Sequence, residues 1–242
     1  DYDADGIGSA AQIHMILKKL GAVNYRITIP KRMLDGYGIN SRIIADIPDG
    51  SLVVTIDNGI SANEAIREAK RRGMTVVVLD HHLRNGELPP ADLIVDPEDN
   101  PEGWTSPYYC GAGLTYKLAE DLFPYETNFL DHLSAFAAIS TIADSVYVLG
   151  DNRNIITRGL RNLNSRTCPE GLQAILDYLA QEKNMEHIGI GEINYKIAPI
   201  VNAPGRLSDD GGKKILRAFF QHGNRALEYA KEIYDINEER KE

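Results

Sequence analysis

The hydrophobic pattern along the chain changes character near residue 100. Before that point, short apolar runs rich in β-branched residues alternate with stretches in which apolar residues recur every three or four positions. The stretches predict helices over 7–20 and 61–72. The apolar runs predict strands over 25–30, 51–57, 74–80 and 91–97. Strands that are apolar on both faces and alternate with helices favour a parallel sheet flanked by helices, so we expect an α/β fold.

Beyond residue 100 the helical period dominates and there is little strand signal. The predicted helices are 111–122, 127–143, 152–164, 169–182, 208–220 and 222–242. We therefore expect one domain over 1–220, with an α/β sheet part over 1–100 and a mostly helical part over 101–220.

Composition is that of a globular protein with room for a large core, since 43% of its 242 residues are hydrophobic. No stretch approaches the roughly 18 consecutive apolar residues of a membrane span, so no membrane partner is expected. Cys110 and Cys168 lie far apart without metal-type spacing, which indicates reduced thiols and a cytoplasmic protein.

The net charge of −9 is a weak guide to partners, because acids can concentrate at a metal site while bases occupy another face. Between Asp151 and Glu170 the chain carries four arginines and no acid. Two of them, Arg153 and Arg158, are candidates for binding substrate phosphates. The basic residues of 67–72 close an amphipathic helix and are more typical of a solvated face.

Polar residues follow the predicted strands at the edge where parallel sheets bind ligands. Asp57 ends one strand, and Asp80, His81 and His82 end the next. Further acids stand before the first helix and at the end of an apolar helix: Asp1, Asp3, Asp5 and Asp144. If these acids meet, they need cations between them, because like charges and burial both disfavour ionisation.

Oxygen ligands with one or two imidazoles suit Mn²⁺ or Mg²⁺, and we expect two ions with Asp57 bridging them. Each motif alone has a simpler interpretation. An Asp-x-Asp-Gly turn can be a solvated or calcium-like loop, Asp-Asn-Gly is a common turn, and Asp-His-His can be a capping acid beside surface histidines. Only their combination at successive strand ends favours a site.

Four segments in order resemble the motifs of the DHH phosphoesterases, and within them the RecJ group of single-strand-specific exonucleases. The segments are DYDADGIGSAA, TIDNG, LDHH and TIADSVYVLGDNR. RecJ-like stretches also occur at 29–40, 87–97, 109–122 and 200–207, so the likeness covers essentially the whole chain. The resemblance implies a DHH catalytic domain over 1–220 and, over 221–242, the start of a helix that connects to a DHH-associated domain.

The resemblance also assigns roles to residues. It implies that the metal ligands are Asp3, Asp5, Asp57, His81 and Asp144, with Asp1 as a further candidate. Asp80 would orient the histidines, and His82 would stabilise negative charge on the scissile phosphate.

Two further arginines, Arg32 and Arg206, stand in Gly-containing segments that we expect to be loops, where a guanidinium could bind phosphate. A structural ion pair is the alternative for each. Tyr37 is a candidate for base stacking or, equally, a core tyrosine.

The resemblance implies a metal-dependent exonuclease that degrades single-stranded DNA from the 5′ end to 5′-mononucleotides in repair and recombination. Single-strand-binding protein and a helicase are candidate partners, and a monomer is expected. Two alternatives remain: a phosphodiesterase for nano-RNA or cyclic dinucleotides, and a catalytically silent replication scaffold.

Overall fold

In the computed structural model, which describes residues 1–99, 101–104 and 107–240, three short aliphatic runs form the sheet. They are β1 (Leu52–Ile56), β2 (Thr75–Leu79) and β3 (Leu93–Val95). The strands are parallel in the order β1-β2-β3, and Val54 pairs with Val77, which pairs with Leu93. Helices flank the sheet, so the predicted α/β class is confirmed.

The described part of the chain is otherwise mostly helical. Its helices are α1 (Ala4–Lys19), α2 (Ser41–Ala45), α3 (Asn63–Arg71), α4 (Gly111–Leu122), α5 (Thr127–Ala143), α6 (Gly150–Asn164), α7 (Glu170–Glu182), α8 (Ile190–Glu192), α9 (Ala198–Leu207), α10 (Gly211–Phe219) and α11 (Gly223–Glu239). A π-helical turn, Ile193–Ile197, joins α8 to α9. None of the described helices combines the length and apolar character needed to cross a bilayer.

One face of the sheet is closed by α3. Val76 and Val78 of β2 are fully buried there and share an apolar cluster with Ile66 and Ala69 of α3. A larger cluster joins α1, α5 and the C-terminal helices. Burial of these aliphatic faces stabilises the packing of α3 on the sheet and fixes where the strand ends lie.

Helices α1 and α5 approach each other closely. A Cβ added to Gly8 would lie 2.1 Å from the Ser140 Oγ, so a larger residue would displace that hydroxyl. The Ser140 hydroxyl donates to the Ala4 carbonyl over 3.0 Å. This packing brings the C-terminal end of α5 beside the N-terminal end of α1.

Two local predictions are wrong. Residues 25–30 form no strand and no helix, and Ile29 is buried in the helical cluster that also contains Ile7. Burial against helices replaces strand pairing there. Arg206 lies in α9 rather than in a loop, although that helix contains Pro204 and Gly205. Gly205 is needed because a Cβ would lie 2.4 Å from the Tyr2 carbonyl oxygen.

Candidate metal centre

Asp57 follows β1 in a strained turn. Its φ is +63°, a left-handed conformation that few residues other than glycine adopt, although Asp and Asn tolerate it best. Its amide donates to the Leu79 carbonyl over 2.9 Å. The next residue, Asn58, fixes the turn, since its side chain donates to Ile56 and accepts from the Ile39 amide. The strand end therefore holds the Asp57 carboxylate in one place.

Asp80 follows β2 and organises the two histidines. Its Oδ1 accepts from the His81 amide at 2.8 Å and lies 2.7 Å from the His82 Nδ1. Its Oδ2 accepts from the Ile60 amide at 2.8 Å. Asp80 is 1% exposed, and both of its oxygens accept hydrogen bonds. The carboxylate therefore fixes the backbone after β2 and the orientation of the His82 ring.

The acids before α1 are anchored differently. Asp3 is the N-cap of α1, and its Oδ1 accepts from the amides of Asp5 and Gly6 at 3.0 Å. Asp5 accepts from the amides of Gly111 and Ala112 at 2.6 and 2.9 Å, at the N-terminal end of α4. A helix N-terminus favours an anion, so the start of α4 is a favourable position for the Asp5 carboxylate.

These elements converge on the His81 Nε2. That nitrogen lies 3.1 Å from the Asp57 Oδ1, 3.5 Å from the Asp5 Oδ2 and 3.8 Å from the Asp144 Oδ2. His81 is 9% exposed, Asp5 and Asp57 are each 2% exposed, and the Asp144 side chain is 30% exposed. The structure thus brings three carboxylates from separate elements to one imidazole.

Negative charge is in excess in this cluster. Burial, reinforced by repulsion from Asp5, raises the pKa of Asp57 well above its usual range. The same two causes raise the pKa of Asp144 to about 6. Burial opposes ionisation of Asp80 as well, yet hydrogen bonds from His82 and from the Ile60 amide lower its pKa. The hydrogen bond with Asp80 raises the pKa of His82.

The residues fit divalent cations. Three overlapping groups each place one ligand atom per residue within 4.8 Å of the others: Asp57, His81 and His82; Asp5, His81 and Asp144; Asp1, Asp3 and Asp57. Asp57 belongs to two of these groups, and its Oδ2 is buried with no hydrogen-bond partner among the described residues. A buried carboxylate oxygen without a donor is costly unless a cation is its partner. The donors are oxygens and imidazole nitrogens, the set that suits Mn²⁺ and Mg²⁺.

Tyr37 lies at the edge of the cluster, not in the core. Its ring is 53% exposed, and its hydroxyl donates to the Asp57 carbonyl at 3.2 Å and lies 3.0 Å from the His82 Nε2. His82 is thus held at both ring nitrogens, by Asp80 and by Tyr37.

Arg32 and Arg206 are both exposed. The Arg32 guanidinium carbon lies 5.7 Å from the centre of the Tyr2 ring, between two of the predicted ligands in the sequence. Arg206 lines a cavity of about 170 Å³ with Ala143, the residue before Asp144, and with Asn202. These positions leave the phosphate-binding predictions open.

The remaining two arginines differ from each other. Arg153 is exposed on α6. Arg158 is used inside the protein: its Nε lies 2.6 Å from the Asp131 Oδ1, and its other nitrogens donate to the Tyr116 hydroxyl and the Thr127 carbonyl at 3.0 Å. The guanidinium therefore joins α6 to α4 and α5, and phosphate binding by Arg158 stays a prediction.

Sequence reasoning missed two supports of the site. The N-terminal end of α4 holds Asp5, and a Cβ on Gly111 would lie 2.6 Å from the Asp57 Cβ, so the glycine permits this approach. The Cys-Gly-Ala-Gly segment at the start of that helix was a usable signal. Asn202 accepts from the Ala4 amide at 2.7 Å, and nothing in its sequence context indicates this contact.

Comparison with protein families finds one family model that matches more than half of this chain. The model described as "DHH family, N-terminal domain" matches residues 1–148. Among curated proteins, the single-stranded-DNA-specific exonuclease RecJ of Bacillus subtilis (strain 168) is 36% identical over 248 residues, covering 99% of this chain and 30% of that protein. RecJ of Escherichia coli (strain K12) is 29% identical over 256 residues, covering 100% of this chain and 44% of that protein. The chain spans less than half the length of these two relatives.

Two solved structures of RecJ proteins are also similar to this chain. A crystal structure of exonuclease RecJ bound to manganese superposes with a TM-score of 0.82 at 29% identity, covering 100% of this chain and 60% of that one. RecJ from Thermus thermophilus in complex with Mn²⁺ gives a TM-score of 0.76 at 28% identity, covering 100% of this chain and 34% of that one. Both have the same fold as this chain, and both hold a metal ion.

Proposed function

Because the chain belongs to the DHH family, we propose that it is the catalytic core of a RecJ-type nuclease that hydrolyses phosphodiester bonds in single-stranded DNA. The observation that carries this proposal is the convergence of Asp5, Asp57 and Asp144 on His81 in a buried cluster. The relatives named single-stranded-DNA-specific exonucleases support the substrate class.

The cofactor would be Mn²⁺ or Mg²⁺, as two ions. The residues that would hold them are Asp3, Asp5, Asp57, His81 and Asp144, with Asp1 as a further ligand and Asp57 shared. When bound, the ions supply an acidified water as nucleophile and positive charge beside the phosphate. This role explains why the Asp57 Oδ2 has no donor within the described part of the chain.

The other residues position groups around that chemistry. Asp80 and Tyr37 hold the His82 ring from its two nitrogens, and the hydrogen bond with Asp80 favours the positively charged ring. The His82 side chain is 43% exposed, so it is accessible to a substrate. A cationic imidazole held in this way would stabilise negative charge that develops on a phosphate.

The proposal also covers how the single-stranded DNA is bound, cleaved and delivered. We expect attack from the 5′ end, release of 5′-mononucleotides, and a role in DNA repair and recombination. Arg32 and Arg206 would bind backbone phosphates, each as a bidentate donor. Single-strand-binding protein or a helicase would deliver the substrate.

The test is hydrolysis of a 5′-phosphorylated single-stranded oligonucleotide with Mn²⁺, compared with its duplex and with a cyclic dinucleotide. The informative variant is Asp57→Asn, because asparagine also tolerates a positive φ and keeps the size of the side chain while removing its charge. Asp121→Asn, at an exposed site on α4, is the matched control. We expect metal-dependent cleavage of the single strand by the native chain and the control only. Preference for the cyclic dinucleotide would favour a small-substrate phosphodiesterase, and no hydrolysis of any substrate would favour a scaffold.

A further inference from the structure

The segment after α5 exposes a group of large apolar side chains. Tyr147 is 63% exposed, Leu149 is 65% exposed, and Val148 between them is 40% exposed. The Tyr108 ring, 41% exposed, lies beside Tyr147 with 4.7 Å between ring centres. A contiguous exposed apolar patch of this kind usually marks a binding surface. We call Tyr108 and Tyr147 the tyrosine pair.

The backbone beneath the tyrosine pair is fixed from inside. The Asn152 side chain is fully buried, and its amide donates to the Tyr147 carbonyl at 2.9 Å and to the Tyr108 carbonyl. One buried side chain therefore joins two segments that are distant in sequence. Rings held on a fixed backbone lose little conformational entropy when a flat ligand stacks on them.

The tyrosine pair also lies close to the metal centre. Tyr147 is three residues after Asp144, so their Cα atoms are at most about 11 Å apart. Ser145, with a φ of +58°, turns the chain at once after α5. Asp144 contacts His81, whereas Tyr37 contacts His82. Tyr147 is thus linked through the chain to a neighbour of His81, whereas Tyr37 contacts His82 directly.

Charge near the tyrosine pair suits a nucleic acid. Arg153 is exposed on the first turns of α6, shortly after Tyr147. The acid in that turn, Asp151, accepts from the Tyr109 hydroxyl at 2.6 Å and lies 3.5 Å from the Lys117 Nζ. Asp151 is therefore engaged by these two groups, and Arg153 offers a positive charge to a phosphate.

We infer that the tyrosine pair is a stacking site for bases of the single strand near the scissile phosphate, with Arg153 contacting the adjoining backbone. The inference rests on the proposed function and adds a binding site to it. Aromatic rings bind any base through its π-face, so this site would grip the strand without reading its sequence.

The experiment measures equilibrium binding of a fluorescent single-stranded oligonucleotide and, in parallel, its Mn²⁺-dependent hydrolysis. The variants are Tyr147→Leu, which removes the ring, and Tyr147→Phe, which keeps it. Tyr125→Leu is the matched control, because Tyr125 is 95% exposed and follows the end of α4 opposite to the one that holds Asp5. An oligonucleotide with abasic sites at successive positions locates the base that stacks.

We expect Tyr147→Leu to weaken binding about tenfold, a typical loss for one stacked base, while Tyr147→Phe and Tyr125→Leu bind like the native chain. The abasic scan should reproduce the loss at one or two neighbouring positions, and the fully abasic strand should not distinguish native chain from Tyr147→Leu. Equal binding by native chain and Tyr147→Leu, with hydrolysis intact, would overturn the stacking site alone. Absence of binding and hydrolysis in the native chain would overturn the proposed function and the stacking site with it.

Discussion

Two polar regions of this molecule, one partly buried and one deeply buried, differ in the balance of their charges. Around Arg158, the Asp131 carboxylate accepts from the Arg158 Nε at 2.6 Å and from the Asn162 amide at 3.0 Å, and these bonds outweigh partial burial and lower the pKa of Asp131. Around His81, burial and neighbouring carboxylates raise the pKa of Asp57. The first region is complete by itself, whereas acids outnumber bases in the second. That difference separates a structural network from a ligand site.

The largest effect on both function and stability is expected for Asp5→Asn. The carboxylate of Asp5 belongs to the metal centre and also accepts from two amides of α4. An asparagine can accept only one of these bonds and presents its own NH₂ to the other amide. We expect hydrolysis to fall more than about a hundredfold, beyond the loss typical of a residue that only orients a ligand. The free energy of unfolding should fall by about 1–3 kcal/mol.

Oligonucleotide hydrolysis and urea unfolding would measure the two losses. Loss of activity without loss of stability would show that Asp5 contributes to hydrolysis but does not stabilise the N-terminal end of α4.

A smaller loss is expected for Asp80→Asn. Asp80 contacts the ring of His82 rather than joining a ligand group, so its effect on chemistry is indirect. We expect kcat to fall about 10–100-fold. NMR of the His82 ring should show a change of tautomer or charge, because the raised pKa of His82 depends on this hydrogen bond. An unchanged ring signal with normal kcat would remove the orienting role.

Arg158→Gln should affect stability and leave chemistry nearly unchanged. Its removal leaves the partly buried Asp131 with the Asn162 amide alone, which costs about 1–3 kcal/mol of unfolding free energy. Well below the melting temperature, kcat and KM should stay within about twofold, the scatter of substitutions away from a site. Arg153→Gln, at an exposed position, serves as the control for the stability measurement alone. A rise in KM for Arg158→Gln at normal stability would instead support the predicted phosphate role.

The sequence predicts those structural features that depend on residues close together in the chain. It does not predict those that depend on contacts between distant segments. The bounds of α4 and α5 follow from helical periodicity, and the carboxyl ends of parallel strands place Asp57 and Asp80 at one edge. The approach of Asp144 requires the close crossing of α1 and α5 at Gly8, which no local pattern specifies.

The wrong strand prediction and the undistinguished arginines have the same origin. Residues 25–30 have strand periodicity, but strand formation needs a partner, and helices bury Ile29 instead. Arg158 and Arg153 are indistinguishable in an acid-free stretch of sequence. Only the fold shows that Asp131 and Tyr116 stand opposite Arg158.

The most direct test of the account is thermal unfolding of the native chain and Asp57→Asn, each with a chelator and with Mn²⁺. Without metal, Asp57→Asn should melt higher by a few degrees, since it removes a buried charge beside Asp5, and about 1 kcal/mol corresponds to roughly 2–4 °C at this size. Mn²⁺ at about 100 times its Kd should stabilise the native chain by about 3 kcal/mol and the variant by much less. The order of the two melting temperatures should therefore reverse when Mn²⁺ is added. A variant that melts lower without metal and gains as much from Mn²⁺ as the native chain would contradict the claim that cations balance this acidic cluster.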